Sequence, residues 1–246
     1  MQRSARLYKV RHFENTMKDP SNVDLESEET RIKSVYEQRQ GAFRYSWFNQ
    51  GHLFRVHELE RNILGLLRSQ NSIDLREKRI LEIGCGTGQW LREFIKWGAY
   101  PENMTGIDVL SDRVFQAKRL CPRGVQIHCG NAARLPFSNA SFDLVCQFTV
   151  FSSILDVTVK ELLAREMLRV LKQKGLILWY DFFLDNPSNP DVRGIGKREI
   201  THLFPDCRID FHRISLAPPL TRLLAPYSWL TCYVLERMRL FNTHYL

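Results

Sequence analysis

The chain has 246 residues, 44% of them hydrophobic, which suits one domain with appendages and a core of good size. Its net charge of +8 is spread over many segments rather than gathered in one run of Lys and Arg, so solvated faces account for it and no nucleic-acid partner is expected. The six cysteines, at 85, 121, 129, 146, 207 and 232, include no C-x-x-C pair, which argues against a zinc site; with no apolar leader at the N-terminus, a reducing cytoplasm is the simplest compartment.

Residues 1–30 are polar and charged, with a break at Asp19-Pro20-Ser21-Asn22, and read as a partly flexible extension reaching about residue 40. A helix is expected to begin within 31–40. Phe43, Tyr45, Trp47 and Phe48 then form an aromatic cluster. Leu53, Val56, Ile63, Leu64 and Leu67 recur at helical spacing, which predicts an amphipathic helix over 50–68. From residue 78 strand and helix patterns alternate, the signature of a parallel sheet covered on both faces. Strands are expected near 79–83, 103–108, 125–129, 142–147 and 175–181, and helices near 88–97, 111–120 and 158–172. Ser111-Asp112 and Asp156 to Thr158 supply helix-capping chemistry.

The C-terminal part departs from this alternation. Residues 207–216 read as a sixth strand. The apolar segment 217–238 is interrupted by Arg222, Pro226, Glu236 and Arg237, so it is no membrane span. It reads as a helical pair packed on the sheet or on a dimer partner, or as a wall for an apolar, lipid-like substrate.

Residues 80–88, Ile-Leu-Glu-Ile-Gly-Cys-Gly-Thr-Gly, carry the most information. An apolar run breaks into three glycines at alternate positions, and Gln89-Trp90-Leu91-Arg92 opens a helix. Glycines let the chain turn sharply out of a strand and approach a ligand, and the helix N–H groups point at whatever lies above. A dinucleotide G-x-G-x-x-G would need Gly at 89, where Gln89 stands. Downstream, Gly106-Ile107-Asp108-Val109 puts an acid at a strand end 20 residues after Gly88, where a ribose-binding carboxylate belongs. Gly130-Asn131-Ala132-Ala133, then Ser141-Phe142-Asp143-Leu144-Val145, then Lys174 to Tyr180 complete the series.

These segments resemble, in order, the motifs of the class I S-adenosylmethionine-dependent methyltransferases, most of all the broad small-molecule group that contains ubiquinone/menaquinone-type enzymes. The resemblance covers about residues 78–182. It implies a Rossmann-like three-layer α/β sandwich whose seven-stranded sheet is mostly parallel with an antiparallel last strand. For that strand only Asn242 to Leu246 remains, which leaves open that the chain stops short of its natural end. The methyltransferase domain is drawn over 41–246, with the helical insertion near 217–238.

The resemblance also implies the cofactor contacts. Gly84, Cys85, Gly86, Thr87 and Gly88 would wrap the methionine and ribose portions, with Glu82 near the amino end. Asp108, followed by Val109, would accept from both ribose hydroxyls, since a carboxylate is acceptor-only. Asn131 stands where many members carry Asp; its carbonyl can still accept the adenine amino group, without charge assistance. Ala132 would offer its N–H to the ring. Gln147 and Phe148 end the fourth strand and are expected to face the crevice.

The acceptor side is less defined. Asp181, at the end of the fifth strand, is the first choice for a base or orienting carboxylate, with a turn-capping acid as the alternative. Tyr45, Trp47, Phe151, Asn186 and Arg193 are the expected substrate contacts. Gln147-Phe148-Thr149-Val150 occupies the place of the Asn/Asp-Pro-Pro-aromatic motif of amino-directed nucleic-acid methyltransferases, and no Pro-Cys pair marks a cytosine C5 mechanism. A sulfonium already activates its methyl group, so no metal is expected and in-line alignment does most of the work.

The expected function is methyl transfer from S-adenosylmethionine, leaving S-adenosylhomocysteine, to a small-molecule, sugar-, lipid- or natural-product-like acceptor. The alternatives are an RNA- or protein-modifying methyltransferase and a non-catalytic scaffold that binds the cofactor. Peripheral membrane contact and a homodimer both stay open.

Overall fold

The computed structural model describes residues 25–38, 46–70, 74–186 and 189–246. Seven strands form one sheet: β1 (Ile80–Ile83), β2 (Met104–Asp108), β3 (Gln126–Cys129), β4 (Phe142–Phe148), β5 (Leu171–Phe182), β6 (Arg213–Leu216) and β7 (Asn242–Tyr245). Their spatial order is β3-β2-β1-β4-β5-β7-β6. The first five are mutually parallel, and β7 runs antiparallel to both β5 and β6. Ile83 pairs with Ile107 on one side and Gln147 on the other, so the strands end level and their carboxyl ends form one edge.

The helices are α1 (Leu25–Gln38), α2 (Gln50–Ser69), α3 (Gln89–Lys96), α4 (Ser111–Leu120), α5 (Val157–Val170), α6 (Lys197–Leu203), α7 (Pro218–Leu224) and α8 (Trp229–Met238). Strand alternation decides which helix covers which face. Leu81, Ile83, Val145, Ile177 and Trp179 meet α5 and α6, whereas Ile80, Leu144, Cys146 and Leu178 meet α2, α3 and α4. This is the three-layer sandwich expected. Asn49 and Asp156 cap α2 and α5 with their side-chain oxygens.

Three boundaries differ from the sequence reading. The first helix starts at Leu25, six residues earlier than expected. The sixth strand begins only at Arg213; 207–212 is irregular apart from a single bridge at Cys207. Residues 171–174 belong to β5, because Leu171 is extended and pairs with Phe142 across a register shift. Asn242–Tyr245 does form the antiparallel last strand. The segment 217–238 folds as the α7–α8 hairpin, which leaves β6 and returns to β7 at the carboxyl edge. It packs on α2 through Phe54, Leu216, Ala225 and Cys232. A Cβ on Gly51 would sit 3.1 Å from the Arg222 Cα, so the two backbones nearly touch.

Candidate active site

A cavity of about 160 Å³ opens at the carboxyl edge above β1 and β4, where strand order reverses. Open α/β sheets bind ligands at this switch point, because strand and helix ends there diverge and leave backbone groups facing outward. Its walls are Gly84 from the turn after β1, Asp108, Val109 and Leu110 after β2, Gly130 to Ala133 after β3, and Phe148 to Val150 after β4.

Three glycines shape the turn, with φ of 65° at Gly84, 52° at Gly86 and 74° at Gly88. At Gly88 a Cβ would fall 2.4 Å from the Cys121 Sγ at the end of α4, so a side chain there would have to displace Cys121 as well as adopt a left-handed φ. At Gly86 a Cβ would meet nothing nearer than an Arg113 guanidinium nitrogen at 3.8 Å. The Gly86 Cα thus faces open space, a cradle that a side chain would fill. Asp108 ties this turn to β2: its Oδ2 accepts from the Gly86 N–H at 2.7 Å and its Oδ1 from the Leu110 N–H at 2.9 Å. Each oxygen keeps a further lone pair.

On the opposite wall the Asn131 Oδ1 accepts from the Ala133 N–H at 2.9 Å, while its Nδ2 donates to Glu29 at 3.1 Å. Phe148 lines the cavity and stacks on Trp90 with ring centroids 4.6 Å apart. Thr149 holds a left-handed φ of 59°, and its N–H donates to the Tyr180 carbonyl. That bend turns the chain back across the end of β5.

Several expected site residues lie elsewhere. Gln147 is fully buried; its Nε2 donates to the Tyr180 carbonyl and its Oε1 accepts from the Val150 N–H, so it braces the bend instead of facing the crevice. Glu82 points to the α3 side, also fully enclosed, and burial pushes its carboxyl well up. Cys85 lies in the same layer. Cys85, Gly86, Thr87 and Gly88 belong to the glycine turn, but of that turn only Gly84 lines the cavity wall.

Asp181 is 1% exposed. Its Oδ2 accepts from the Ser152 N–H and its Oδ1 from the Phe182 N–H, so it pins the 151–153 turn to β5. Burial raises its carboxyl to about 7 against the pull of those two donors and of Lys160. Phe151 is buried with its ring against Trp179 and Phe204, not at the cavity. Trp47 stands half exposed beside His52, and Asn186 and Arg193 are exposed beyond β5. None of these residues lines the cavity. Tyr45 lies outside the described residues.

Helix α1 supplies what the sequence reading did not place at the site. Glu28, Ile32 and Tyr36, spaced four apart, face the cavity together with Glu29. Glu28 accepts from the Leu155 N–H at 2.7 Å and pairs with Arg31, whose guanidinium also donates to the Ser153 carbonyl. Burial alone would raise the Glu28 carboxyl, but Arg31 and the Leu155 N–H outweigh it and hold it below the usual range. On the other side Arg113 lies 4.5 Å over the Tyr36 ring. The helix is therefore fastened to both walls. The signal was available: Glu28, Ile32 and Tyr36 make one helical stripe.

Residues 80–175 match the family described as "Methyltransferase domain". The chain is 32% identical over 124 residues to the phthiotriol/phenolphthiotriol dimycocerosates methyltransferase of Mycobacterium leprae, covering 50% of this chain and 43% of that protein. It is 26% identical over 175 residues to the demethylmenaquinone methyltransferase of Listeria welshimeri, covering 69% of this chain and 67% of that one. The fold is similar to that of geranyl diphosphate C-methyltransferase from Streptomyces coelicolor A3(2), solved with Mg²⁺, geranyl diphosphate and S-adenosyl-L-homocysteine. The TM-score is 0.59 and the identity 13%, over 89% of this chain and 95% of that one. Residues 80–175 thus match a methyltransferase-domain family, and the ordered motifs and the strand order are similar to those of the class I S-adenosylmethionine-dependent methyltransferases.

Proposed function

We propose that the protein transfers a methyl group from S-adenosylmethionine to a small, lipid-like acceptor by direct in-line displacement. The observation that carries this reading is the cavity at the switch point, lined by Gly84 of the glycine turn, by Asp108, which also holds the Gly86 N–H, and by the Asn131–Ala133 loop. When bound, the cofactor supplies a methyl group already activated by its positive sulfur. Asp108 would accept from the ribose hydroxyls through its spare lone pairs while keeping its grip on the turn. The Ala132 backbone and the Asn131 carbonyl would meet the adenine edge, and Ile32 and Tyr36 of α1 would exclude water from above. Phe148, fixed by its stack on Trp90, would form a rigid wall at the end of β4.

The lipid-like acceptor rests on the relatives, named for a dimycocerosate lipid and a quinone, and on the apolar character of the α7–α8 hairpin at the same edge. Asp181 is assigned to positioning, because it is buried away from the cavity and pins the 151–153 turn to β5. No disulfide joins any of the six cysteines, which fits a reducing compartment, and we infer a cytoplasmic location. No helix among the described residues is long and apolar enough to cross a membrane.

Titration calorimetry with S-adenosylhomocysteine tests cofactor binding. Incubation with methyl-tritiated cofactor and a cell lipid extract tests transfer. Saturable binding, with label moving into the organic-extractable fraction, is expected. Absence of binding by folded protein would overturn the whole reading. Label moving only into RNA or protein would overturn the acceptor class.

A further inference from the structure

The α7–α8 hairpin is apolar on both of its sides. Cys232 and Leu235 face inward, onto Phe54 and Leu216. Tyr227, Leu230, Val234, Met238 and Phe241 recur at three- and four-residue intervals and all face solvent, with Tyr227 87% and Leu230 72% exposed. A surface helix of a globular protein normally carries polar residues on that stripe. Phe48, 89% exposed, stands two residues before Gln50, whose side chain accepts from the Trp229 indole N–H of the hairpin.

The charges on this segment have one sign outward. Arg222, Arg237 and Arg239 are exposed. The one acid in 217–241, Glu236, is buried and paired with Arg61 at 3.5 Å. We propose that this hairpin docks on an anionic lipid bilayer, with its apolar stripe in the headgroup–acyl boundary and its arginines on lipid phosphates. A second copy of the chain fits less well. A two-fold interface would set arginines against arginines, with no exposed acid on 217–241 to answer them. Because the hairpin joins the sheet at its carboxyl edge, docking would turn the crevice end of the molecule toward the membrane. The proposal stands apart from methyl transfer: bilayer binding is measured without cofactor or acceptor.

The test is co-sedimentation of the full chain with vesicles of phosphatidylcholine alone and of phosphatidylcholine mixed with phosphatidylglycerol, at low and high salt. Binding to the mixed vesicles only, weakened by salt, is expected. Arg222→Gln and Arg237→Gln should each lower it about fivefold at low salt. The double variant Tyr227→Glu/Leu230→Glu should abolish it, and Leu230→Ser alone should weaken it if the double variant fails to fold. An unchanged urea-unfolding midpoint in these variants reports an intact fold. No binding to either vesicle, or equal binding to both, would overturn the proposal. So would self-association, seen by sedimentation equilibrium and abolished by the same double variant, without vesicle binding.

Discussion

Glu58 offers a test of how the hairpin is joined to the body, and its size can be worked out in advance. Its Oε1 accepts from the Ser215 N–H of β6, while its Oε2 is buried without a partner. Burial first, and the neighbouring Glu236 second, push the Glu58 carboxyl up to about 8; the Ser215 N–H, Arg55 and Arg61 pull the other way. Between its ordinary value of 4.5 and 8 the folded chain keeps a proton that the unfolded chain has lost. Stability therefore falls as pH rises through that window, at up to about 1.4 kcal/mol per unit. His244, buried neutral and lowered by that burial from 6.5 to about 3, works in the opposite direction below pH 6.5. The interval from pH 6.5 to 8 is then where Glu58 is least opposed, and it should account for a loss of about 2 kcal/mol there. Glu58→Gln keeps an oxygen for the Ser215 N–H and removes the charge. Urea unfolding at both pH values, for wild type and variant, should show the variant gaining about 2 kcal/mol on wild type between them, at unchanged m. Equal pH slopes in the two proteins would refute the reasoning, because the titrating group would then lie elsewhere.

Asp108→Ala should leave the protein folded and weaken S-adenosylhomocysteine by about 1–3 kcal/mol, the usual cost of unmatched buried polar partners, and unchanged affinity by calorimetry would remove Asp108 from the cofactor site. Gly88→Ala should lower both the melting temperature and cofactor affinity, since the new Cβ would fall 2.4 Å from the Cys121 Sγ at a φ of 74°. Adding Cys121→Ala should restore part of the stability, and no restoration would show that backbone strain alone is responsible. Asp181→Asn should reduce turnover by loosening the 151–153 turn but leave the shape of the pH–rate profile unchanged. Loss of an ionisation near pH 7 from that profile would instead make Asp181 the base.

The alternation of strands and helices, the glycine turn and the acid at Asp108 were legible because each depends on local sequence. An apolar run, a sharp turn and a short acid are needed there whatever packs around them. Gln147 does not face the crevice and Asp181 takes the turn-capping role given as its alternative, for a shared reason. The end of a strand can be read from the sequence, but where its last side chain points depends on the next turn. Here Thr149 bends the chain at a φ of 59°, and the resulting backbone N–H groups at Val150 and Ser152 are met by Gln147 and Asp181. Helix α1 was underrated because it is mostly polar: only Leu25 and Glu28 are buried in it. Its hold on the cavity comes from ion pairs and backbone contacts with Leu155 and Ser153, partners more than a hundred residues away.

The ionisable groups around the cavity bear on the kind of acceptor. Among the described residues the carboxylates there are Glu28, Glu29 and Asp108. Glu28 is bound by Arg31 and the Leu155 N–H and held below the usual range, which makes it a weak proton acceptor. Glu29 is paired with Lys33 and takes the Asn131 amide; Asp108 takes the N–H groups of Gly86 and Leu110. Each is engaged in holding the cavity together. A general base must be poised near the working pH and free to reach the proton it removes. All three are held by these partners and none is free to reach a substrate proton, so on the proposed reading the attacking atom arrives already nucleophilic. A carboxylate, a phenolate or an electron-rich carbon satisfies this, and a simple aliphatic alcohol does not. The enzyme's share of the catalysis then reduces to alignment and water exclusion, which a fastened α1 above a rigid Phe148–Trp90 wall can supply.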